Sequence, residues 1–361
     1  MSSTQGKKIK LSVFGESHGP VIGIVIDGMP AGEPIDMEAL QLFTDRRAPG
    51  LADYQTARRE SDTSEFLSGI HGGKTTGAPI CVIIRNENTR SKDYDSLRDI
   101  PRPSHADYTA HLRYNGFHDI RGGGHFSGRL TAPLCAAGGL ALQILARRGV
   151  TVGAHINQIA SVTDASFDPI TVSDDDLIRL GAKAFPVLDA GAGAEMQAAI
   201  AAAKAENDSI GGIVECAAVG FPCGIGTPMF DGIENRLASA IFGIPAVRGI
   251  EFGAGFSSTL MRGSLHNDAY TVEQGQVKTT TNNHGGVIGG ISTGMPIIMR
   301  VAFKPTPSIG IEQVSVSLSR LENTPVTVNG RHDPCIVPRA VPCVEAVTGL
   351  VLLDMLLSEH E

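Results

Sequence analysis

The fold is decided by a repeated glycine-rich segment, SGIHGGKTTGAPI at residues 68–80 and GGVIGGISTGMPI at residues 285–297. Aligned without gaps, the two copies share glycine at 69/286, 72/289, 73/290 and 77/294, threonine at 76/293, and Pro-Ile at 79/296 and 80/297. A second match lies upstream, where GMPAG at 28–32 corresponds to GFPCG at 220–224. The shared order of these motifs predicts an internal duplication.

The elements around the two copies follow the same order. An apolar strand precedes each upstream motif, at residues 21–27 and 212–219, and a helix follows it. Aspartate is a favoured N-cap, so we expect these helices to open at Asp36 and Asp231. The repeat units, about 8–90 and 208–305, each run strand, helix, glycine turn, strand. Without a steady βαβ rhythm, the chain predicts an α+β fold, a layered β-α-β sandwich forming a single domain over residues 1–361.

Further helices are expected outside the repeat units. They cover about residues 131–148, an alanine-rich stretch at 191–205, and a C-terminal segment at 344–357. The C-terminal segment contains Glu345 and Asp354 among apolar residues, which predicts an amphipathic helix. The prolines at 334, 338 and 342 predict a stiff loop ahead of it.

Composition limits the classes of function. The 361 residues are 42% hydrophobic and carry a net charge of -8, so a nucleic acid is a poor partner because phosphate binding needs a basic face. Six cysteines without a C-x-x-C pair indicate a reduced, cytoplasmic protein. No signal-peptide pattern and no run of 18 uninterrupted apolar residues is present, so we expect no membrane partner.

Two motifs imitate known catalytic signatures. GESHG at 15–19 fits the G-x-S-x-G nucleophile elbow, but a strand rather than a helix follows it, which predicts a hairpin turn and disfavours Ser17 as a nucleophile. SGIHGGKTT at 68–76 approaches the P-loop pattern. Its repeat partner lacks the lysine, so a structural turn explains it better than a nucleotide site.

The richest stretch is RPSHADYTAHLRYNGFHDIRGGGHFSGRLTAP at 102–133, with four histidines and four arginines. Three successive glycines at 122–124 precede a helix start, an arrangement that presents backbone N–H groups to an anion. The histidine spacing fits no zinc motif and no cysteine pair joins it, so we expect no metal. Together with RHDP at 331–334 and the lysine of FKPTPSIG at 303–310, this stretch indicates an enzyme for a polyanionic small molecule.

The combined motifs closely resemble those of the chorismate synthase family. FGESHGP at 14–20, RPSHADYT and RGGGHFSGR within 102–129, and GRHDPC followed by PRAVP within 330–342 resemble its three signature regions. DRRAPG at 45–50, NTRSKDY at 88–94, NNHGGVIGGISTG at 282–294 and KPTPSI at 304–309 match as well. The similarity extends in order over essentially the whole chain.

The resemblance implies an anti 1,4-elimination of phosphate from 5-enolpyruvylshikimate 3-phosphate, giving chorismate for aromatic amino-acid biosynthesis in the shikimate pathway. It implies a requirement for reduced FMN, with NADPH serving only indirectly to reduce the flavin, as well as a homotetramer and an external flavin reductase. A substrate with two carboxylates and a phosphate needs several arginines in one enclosed pocket. The alternative from another class is a non-catalytic homologue that binds flavin or phosphate.

The resemblance also assigns roles to residues. It implies that His18 is the acid near the leaving phosphate, that His105 acts near flavin N1, and that Asp333 assists proton removal through flavin N5. The implied substrate contacts are Ser17, Arg47, Arg102, Arg129 and Arg331. The implied flavin contacts are His125, Phe126, Ser127, Ala246, Gly289, Lys304, Pro305, Thr306, Pro307, Ser308 and Arg331.

The chain departs from the family pattern at several of these places. The commoner GGGRSSAR reads GGGHFSGR at 122–129, so His125 and Phe126 replace an arginine and a serine. The usual asparagine before Ala246 is a proline, and an arginine that often follows DRRAPG is Asp53. Ser104 stands where glycine is common. These changes bear on how side chains contact the flavin and the substrate.

Overall fold

The computed structural model describes residues 3–50, 62–86, 96–328 and 332–359. The helices are α1 Met37–Asp45, α2 Asp107–Arg113, α3 Thr131–Ala146, α4 Asp174–Gly181, α5 Ala190–Ala205, α6 Ile233–Ile241, α7 Gly263–His266 and α8 Val337–Ser358. The strands are β1 Thr4–Gln5, β2 Lys10–Gly15, β3 Val21–Asp27, β4 Glu65–Ser68, β5 Ile70–His71, β6 Lys74–Thr75, β7 Ile80–Arg85, β8 Thr151–Ile159, β9 Val162–Thr163, β10 Gly212–Val219, β11 Val247–Phe252, β12 Tyr270–Glu273, β13 Gln276–Thr279, β14 Val287–Ile288, β15 Ile291–Ser292, β16 Ile297–Phe303, β17 Gln313–Ser317 and β18 Glu322–Val326.

Two five-stranded antiparallel sheets carry the duplication. Their strand orders are β1-β2-β3-β7-β4 and β11-β16-β10-β8-β9. In each unit the strand before the helix pairs with the strand after the glycine turn, β3 with β7 and β10 with β16. The turns are hairpins in both copies, β5–β6 and β14–β15, so neither forms a phosphate-binding loop that leads into a helix. The predicted duplication is confirmed.

A layer of helices lies between the sheets. α3 packs on β3 and β7 of the first sheet, while α8 packs on β8 and β10 of the second, and α1 and α6 lie beside them. The two long helices approach closely, since a Cβ placed on Gly138 would lie 2.2 Å from the Cβ of Ala346. One large cluster of buried apolar side chains draws on both sheets and these helices. The predicted β-α-β sandwich is therefore confirmed.

The helix starts in the two repeat units are not equivalent. Asp36 caps α1 as predicted, because its carboxylate accepts a hydrogen bond of 2.9 Å from the backbone N–H of Ala39. The prediction for Asp231 is wrong, since Gly232 occupies the N-cap of α6 without a side-chain cap. Asp231 instead pairs with Lys7 from the N-terminal segment.

The C-terminal helix differs most from expectation. It begins at Val337, so Pro338 and Pro342 belong to its first turns rather than to a loop. It is buried on all sides, and its two acidic residues are paired inside the protein instead of marking a solvated face. Glu345 binds Arg46, and Asp354 accepts hydrogen bonds from the backbone N–H groups of residues 7–9. The prediction of an amphipathic helix is wrong because partners that are distant in sequence allow both carboxylates to be buried in the folded chain.

Two helical stretches, Gly128–Ala146 and Val337–Ser358, are long and apolar enough by composition to cross a membrane. Most of each stretch is buried inside the protein. The same test is passed by core helices of globular proteins, and the position of α3 and α8 between two sheets explains their apolar character.

Candidate active site

A cavity of about 570 Å³ lies beside the N-terminal ends of α3 and α8. Its size falls in the range of roughly 300–1,000 Å³ typical of small-molecule sites. The predicted site residues that line it are Arg47, Arg102, His105, His125, Phe126, Ser127, Arg129, Ala246, Lys304, Thr306, Pro307, Ser308 and Asp333. The fold thus brings together segments that are up to 286 positions apart, from Arg47 to Asp333.

Two of the cavity's arginines share one carboxylate. Arg47 donates to Asp62 over 2.5 Å, and Arg129 donates to the other oxygen of the same carboxylate. All three side chains are buried. Burial alone would raise the pKa of Asp62, but the two guanidinium groups outweigh it and hold that pKa below its usual value. Two guanidinium groups are thereby held side by side at the cavity wall, where they favour an anionic ligand.

A second network fixes the orientation of His105. Its Nδ1 lies 2.6 Å from the Asp107 carboxylate, which also receives two hydrogen bonds from the Arg102 guanidinium. The carboxylate assigns the proton to Nδ1, leaving Nε2 as the other ring nitrogen, next to Gly123. Burial lowers the pKa of His105, and the nearby positive charge of Arg102 adds to this, while Asp107 works against it. Arg102 Nη2 also lies 3.0 Å from Nδ1, but the shorter contact to Asp107 favours the proton on Nδ1, and the lowered pKa favours the neutral ring.

Replacing Asp107 by asparagine is expected to lower the pKa of His105 further. The carboxylate stabilises the imidazolium, so its removal favours the neutral ring, and the histidine then protonates only at lower pH. NMR titration of the His105 ring in the purified protein measures this directly. Asp119→Asn is the matched control, because Asp119 pairs with Arg121 outside this network. An unchanged or raised His105 pKa in Asp107→Asn would contradict the assigned network.

The third catalytic candidate, Asp333, also has a cationic partner. Its carboxylate pairs with Arg339 from the first turn of α8, and Arg339 Nε donates to the backbone carbonyl of Arg47 over 2.9 Å. Thr306 donates from its hydroxyl to the backbone carbonyl of Asp333 over 3.1 Å. Beside it, His332 has a buried Nε2 with no hydrogen-bond partner among the described residues. A buried donor or acceptor of this kind is suited to a ligand in the cavity.

The GESHG turn packs against the glycine run at 122–124. The turn connects β2 to β3 as a hairpin, as predicted, and the Ser17 N–H donates to the carbonyl of Gly124 over 3.1 Å. A Cβ on Gly122 would lie 2.6 Å from the His18 ring and 2.7 Å from Ser17 Oγ. Gly122 lines the cavity, so Ser17 and His18 lie directly behind its wall. The Ser17 hydroxyl is buried and has no partner among the described residues.

The substituted loop residue His125 has a structural task. Its Nδ1 donates to the carbonyl of Gly15 over 2.8 Å, and its Nε2 lies 2.8 Å from the hydroxyl of Ser3. Both ring nitrogens are engaged, so the side chain holds the 122–129 loop to the end of β2. Phe126 extends beside it and is partly exposed at the cavity.

Two non-glycine residues at the cavity have left-handed backbone conformations, Ser104 with φ 60° and Ala246 with φ 73°. Such conformations cost about 1–2 kcal/mol for residues other than glycine. The fold holds both in place, since the Ser104 carbonyl accepts a hydrogen bond from Lys304 Nζ and the Ala246 carbonyl accepts one from the Lys304 N–H. Strain of this kind concentrates at ligand sites.

Some predicted contacts are not brought to the cavity or lie outside the described residues. Gly289 lies in the β14–β15 turn, away from the cavity. The carbonyl of the neighbouring Gly290 accepts a hydrogen bond from the first residue of α6, Ile233, whereas the cavity is lined by residues that follow the last residue of the same helix. Pro305 is not among the lining residues. Gly289 and Pro305 stay predictions as cofactor contacts. Ser17 and His18 are also absent from the lining residues, so their roles toward the substrate stay predictions as well. Arg331, Asp53 and the 88–94 motif lie outside the described residues.

Comparisons with known proteins agree with this arrangement. The family model described as chorismate synthase matches residues 9–357. The chain belongs to the chorismate synthase family. A chorismate synthase of Lancefieldella parvula is 45% identical, covering 99% of this chain and 97% of its own length. One of Korarchaeum cryptofilum is 47% identical over 97% of this chain and 96% of its own length. Membership of the chorismate synthase family makes the protein a lyase.

A solved structure supports the same fold over nearly the whole chain. The chain is similar to a crystal structure titled as chorismate synthase, with a TM-score of 0.77 and 27% identity, covering 98% of this chain and 93% of that chain. The β-α-β sandwich is therefore the architecture of the chorismate synthase family.

Sequence reasoning missed the acidic partners of the site. Asp62 and Asp107 were not selected, although both orient predicted functional side chains. Arg339, which lies within the PRAVP motif, was likewise not assigned to the site, although it pairs with Asp333. The signal available in the sequence was the number of arginines expected in one pocket, because buried guanidinium groups need carboxylates nearby.

Proposed function

We propose that this chain converts 5-enolpyruvylshikimate 3-phosphate to chorismate and phosphate by an anti 1,4-elimination. Family membership supports the proposal, and the single observation that carries it is that three buried arginines, Arg47, Arg102 and Arg129, line one cavity. A substrate with two carboxylates and a phosphate matches buried arginines, which bind such groups in a fork geometry. Lys304 adds a further cation to the wall.

The residues present fit reduced FMN as the cofactor. An apolar wall formed by Phe126, Ile244, Phe303 and Ile336 suits a flat ring system, and the unpartnered Nε2 of His332 offers a polar contact. When bound, reduced FMN supplies electron density to the substrate during loss of phosphate. His125 contributes packing rather than a phosphate contact, because both of its ring nitrogens are already engaged.

The chain's own residues divide the proton chemistry. His18 is proposed to donate a proton to the departing phosphate and Ser17 to bind the substrate beside it. Both pack against Gly122 at the back of the cavity wall and do not line the cavity itself, so these roles require the substrate to reach past the 122–124 glycines. His105 presents Nε2 at the cavity with its Nδ1 proton fixed by Asp107. Asp333 accepts the proton lost from carbon and is held in place by Arg339. General acid–base groups of this kind contribute about 10²- to 10⁴-fold each to rate.

The cellular setting belongs to the same proposal. A lyase for this polyanionic substrate acts in the shikimate pathway of aromatic amino-acid biosynthesis, in the cytoplasm and as a homotetramer. We propose no nucleic-acid or membrane partner. NADPH enters only through flavin reduction, performed by an external flavin reductase.

The test is turnover of the phosphate substrate by the full chain under anaerobic conditions with chemically reduced FMN. We expect stoichiometric release of phosphate and formation of a product with the conjugated diene absorbance of chorismate. Oxidised FMN in the same anaerobic buffer is the control and should give no turnover. Tight binding of FMN and substrate without phosphate release would contradict the proposed reaction.

A further inference from the structure

Two cysteines meet beneath the cavity. Cys135 of α3 and Cys343 of α8 are both buried, with their sulfur atoms 3.7 Å apart. Cys343 lines the cavity, whereas Cys135 does not. A disulfide has an S–S distance of about 2.05 Å, so the two sulfur atoms need to approach by less than about 2 Å. Side-chain rotation, rather than rearrangement of the helices, can cover a gap of that size.

The packing of α3 against α8 keeps the pair together. One turn beyond the cysteines, Gly138 contacts Ala346 so closely that an added Cβ would lie 2.2 Å from the Ala346 Cβ. Both positions lie three residues after their cysteine, so the contact and the sulfur pair are in register along the two helices. The close backbone approach fixes the spacing of the two helices one turn away from the sulfur pair.

The surroundings make the two thiols chemically unequal. The hydrogen bond from Cys135 and the positive charges of Arg47 and Arg339 lower the pKa of Cys343 despite its burial. The same sulfur–sulfur contact, together with burial, raises the pKa of Cys135. Cys343 lines the cavity and lies near two cations, so it is the cysteine that an oxidant in the cavity meets first, with the Cys135 thiol directly beside it. Burial raises the pKa of Cys335 to about 12, so that thiol is a poor nucleophile.

We propose that Cys135 and Cys343 form an intramolecular disulfide when hydrogen peroxide enters the cavity. The Cys343 thiolate attacks one peroxide oxygen, the O–O bond breaks, and hydroxide leaves, giving a sulfenic acid. The Cys135 sulfur then attacks the Cys343 sulfur, the S–O bond breaks, and the departing oxygen takes up the Cys135 proton as water. The released hydroxide takes up the proton that Cys343 lost on ionisation, so in sum two thiols are oxidised and one peroxide is reduced to two waters. A dithiol reductant reverses the modification.

The modification reaches the proposed active site through α8. Cys343 lies one turn after Arg339, whose backbone carbonyl is 3.4 Å from the Cys343 sulfur. Arg339 in turn contacts Asp333 and the carbonyl of Arg47. Drawing the Cys343 sulfur toward α3 changes the wall of the cavity at this point. We expect treated protein to lose turnover and to regain it after reduction.

The experiment treats the full chain with hydrogen peroxide, alkylates the remaining thiols in denaturant, and maps the peptides by mass spectrometry. We expect loss of two of the six alkylatable thiols and a linked peptide pair that contains Cys135 and Cys343. In Cys135→Ser, the Cys343 sulfenic acid should be captured by dimedone. In Cys343→Ala, neither the link nor the adduct should form. Cys223→Ser removes an exposed thiol and should leave the link intact.

The proposal is overturned if peroxide modifies only Cys223, or if Cys343 proceeds to sulfinic acid while Cys135 stays reduced. Thermal unfolding of each variant establishes that it is folded before treatment. Should Cys135→Ser fail to fold, Cys135→Ala removes the same thiol with less polarity. The peptide map does not depend on turnover, so failure of the proposed elimination and failure of the disulfide are separate results.

Discussion

His105→Ala is expected to lower kcat for anaerobic phosphate release by about 10²- to 10⁴-fold, the usual contribution of a general acid–base group. The imidazole is held by Asp107 with one defined tautomer and faces the cavity. Alanine removes the ring and leaves the carboxylate of Asp107 with its Arg102 partner, so the fold around the site is retained. Stopped-flow measurement of phosphate release at saturating substrate and reduced FMN gives the value.

His71→Ala is the matched control for this experiment. His71 is exposed in the β5–β6 hairpin, remote from the lining residues, and its replacement should leave kcat unchanged. Circular dichroism and FMN binding establish that His105→Ala is folded and loaded. A kcat equal to that of the parent protein would remove His105 from the chemistry.

Asp62→Asn is expected to destabilise the protein by about 3–5 kcal/mol at pH 7, because two buried guanidinium groups lose their shared counter-charge. The dependence on pH follows from the lowered pKa of Asp62. The stabilisation is fully present above the unfolded value of 3.8 and is lost as the pH falls through the lower folded value. Urea unfolding at pH 7, repeated below pH 3.8, measures the effect and its loss.

Glu65→Gln is the control for Asp62→Asn. Glu65 also pairs with an arginine, Arg85, but the two side chains are 38% and 61% exposed at the edge of the first sheet, so water screens the pair. Such surface pairs contribute about 0–1 kcal/mol, so this variant should unfold close to the parent protein. Equal and small effects of the two substitutions would show that Asp62 is not the counter-charge that stabilises Arg47 and Arg129.

Local sequence patterns predicted much of the fold. The duplicated glycine turns, the strand periodicity around them and the Asp36 cap depend on neighbours within a few residues, and the structure has all of them. The GESHG hairpin belongs to the same class, because a strand directly follows it. The prediction of an N-cap failed at Asp231, because its side chain pairs with Lys7, which is distant in sequence, instead of capping the helix that follows it.

In the cavity, the sequence predicted which residue types line the wall, but not which partners their side chains bind. The family motifs identified most of the lining side chains, since their residue types are visible in the sequence. The partner of each side chain was not visible, because Asp62 reaches Arg129 across 67 positions and His125 reaches Ser3 across 122. Ion pairing and hydrogen bonding act over a few ångströms in space, whatever the separation along the chain.

By itself, the sequence determined the duplicated α+β architecture, the hairpin role of GESHG and the family of the chain, because local periodicity, turn chemistry and ordered motifs are written in consecutive residues. Only the tertiary structure decided that Glu345 and Asp354 are buried, that two arginines share Asp62, and that Cys135 lies against Cys343. Those outcomes depend on which surfaces the packed helices and sheets bring together, and burial then makes each charge or thiol depend on the partner it meets.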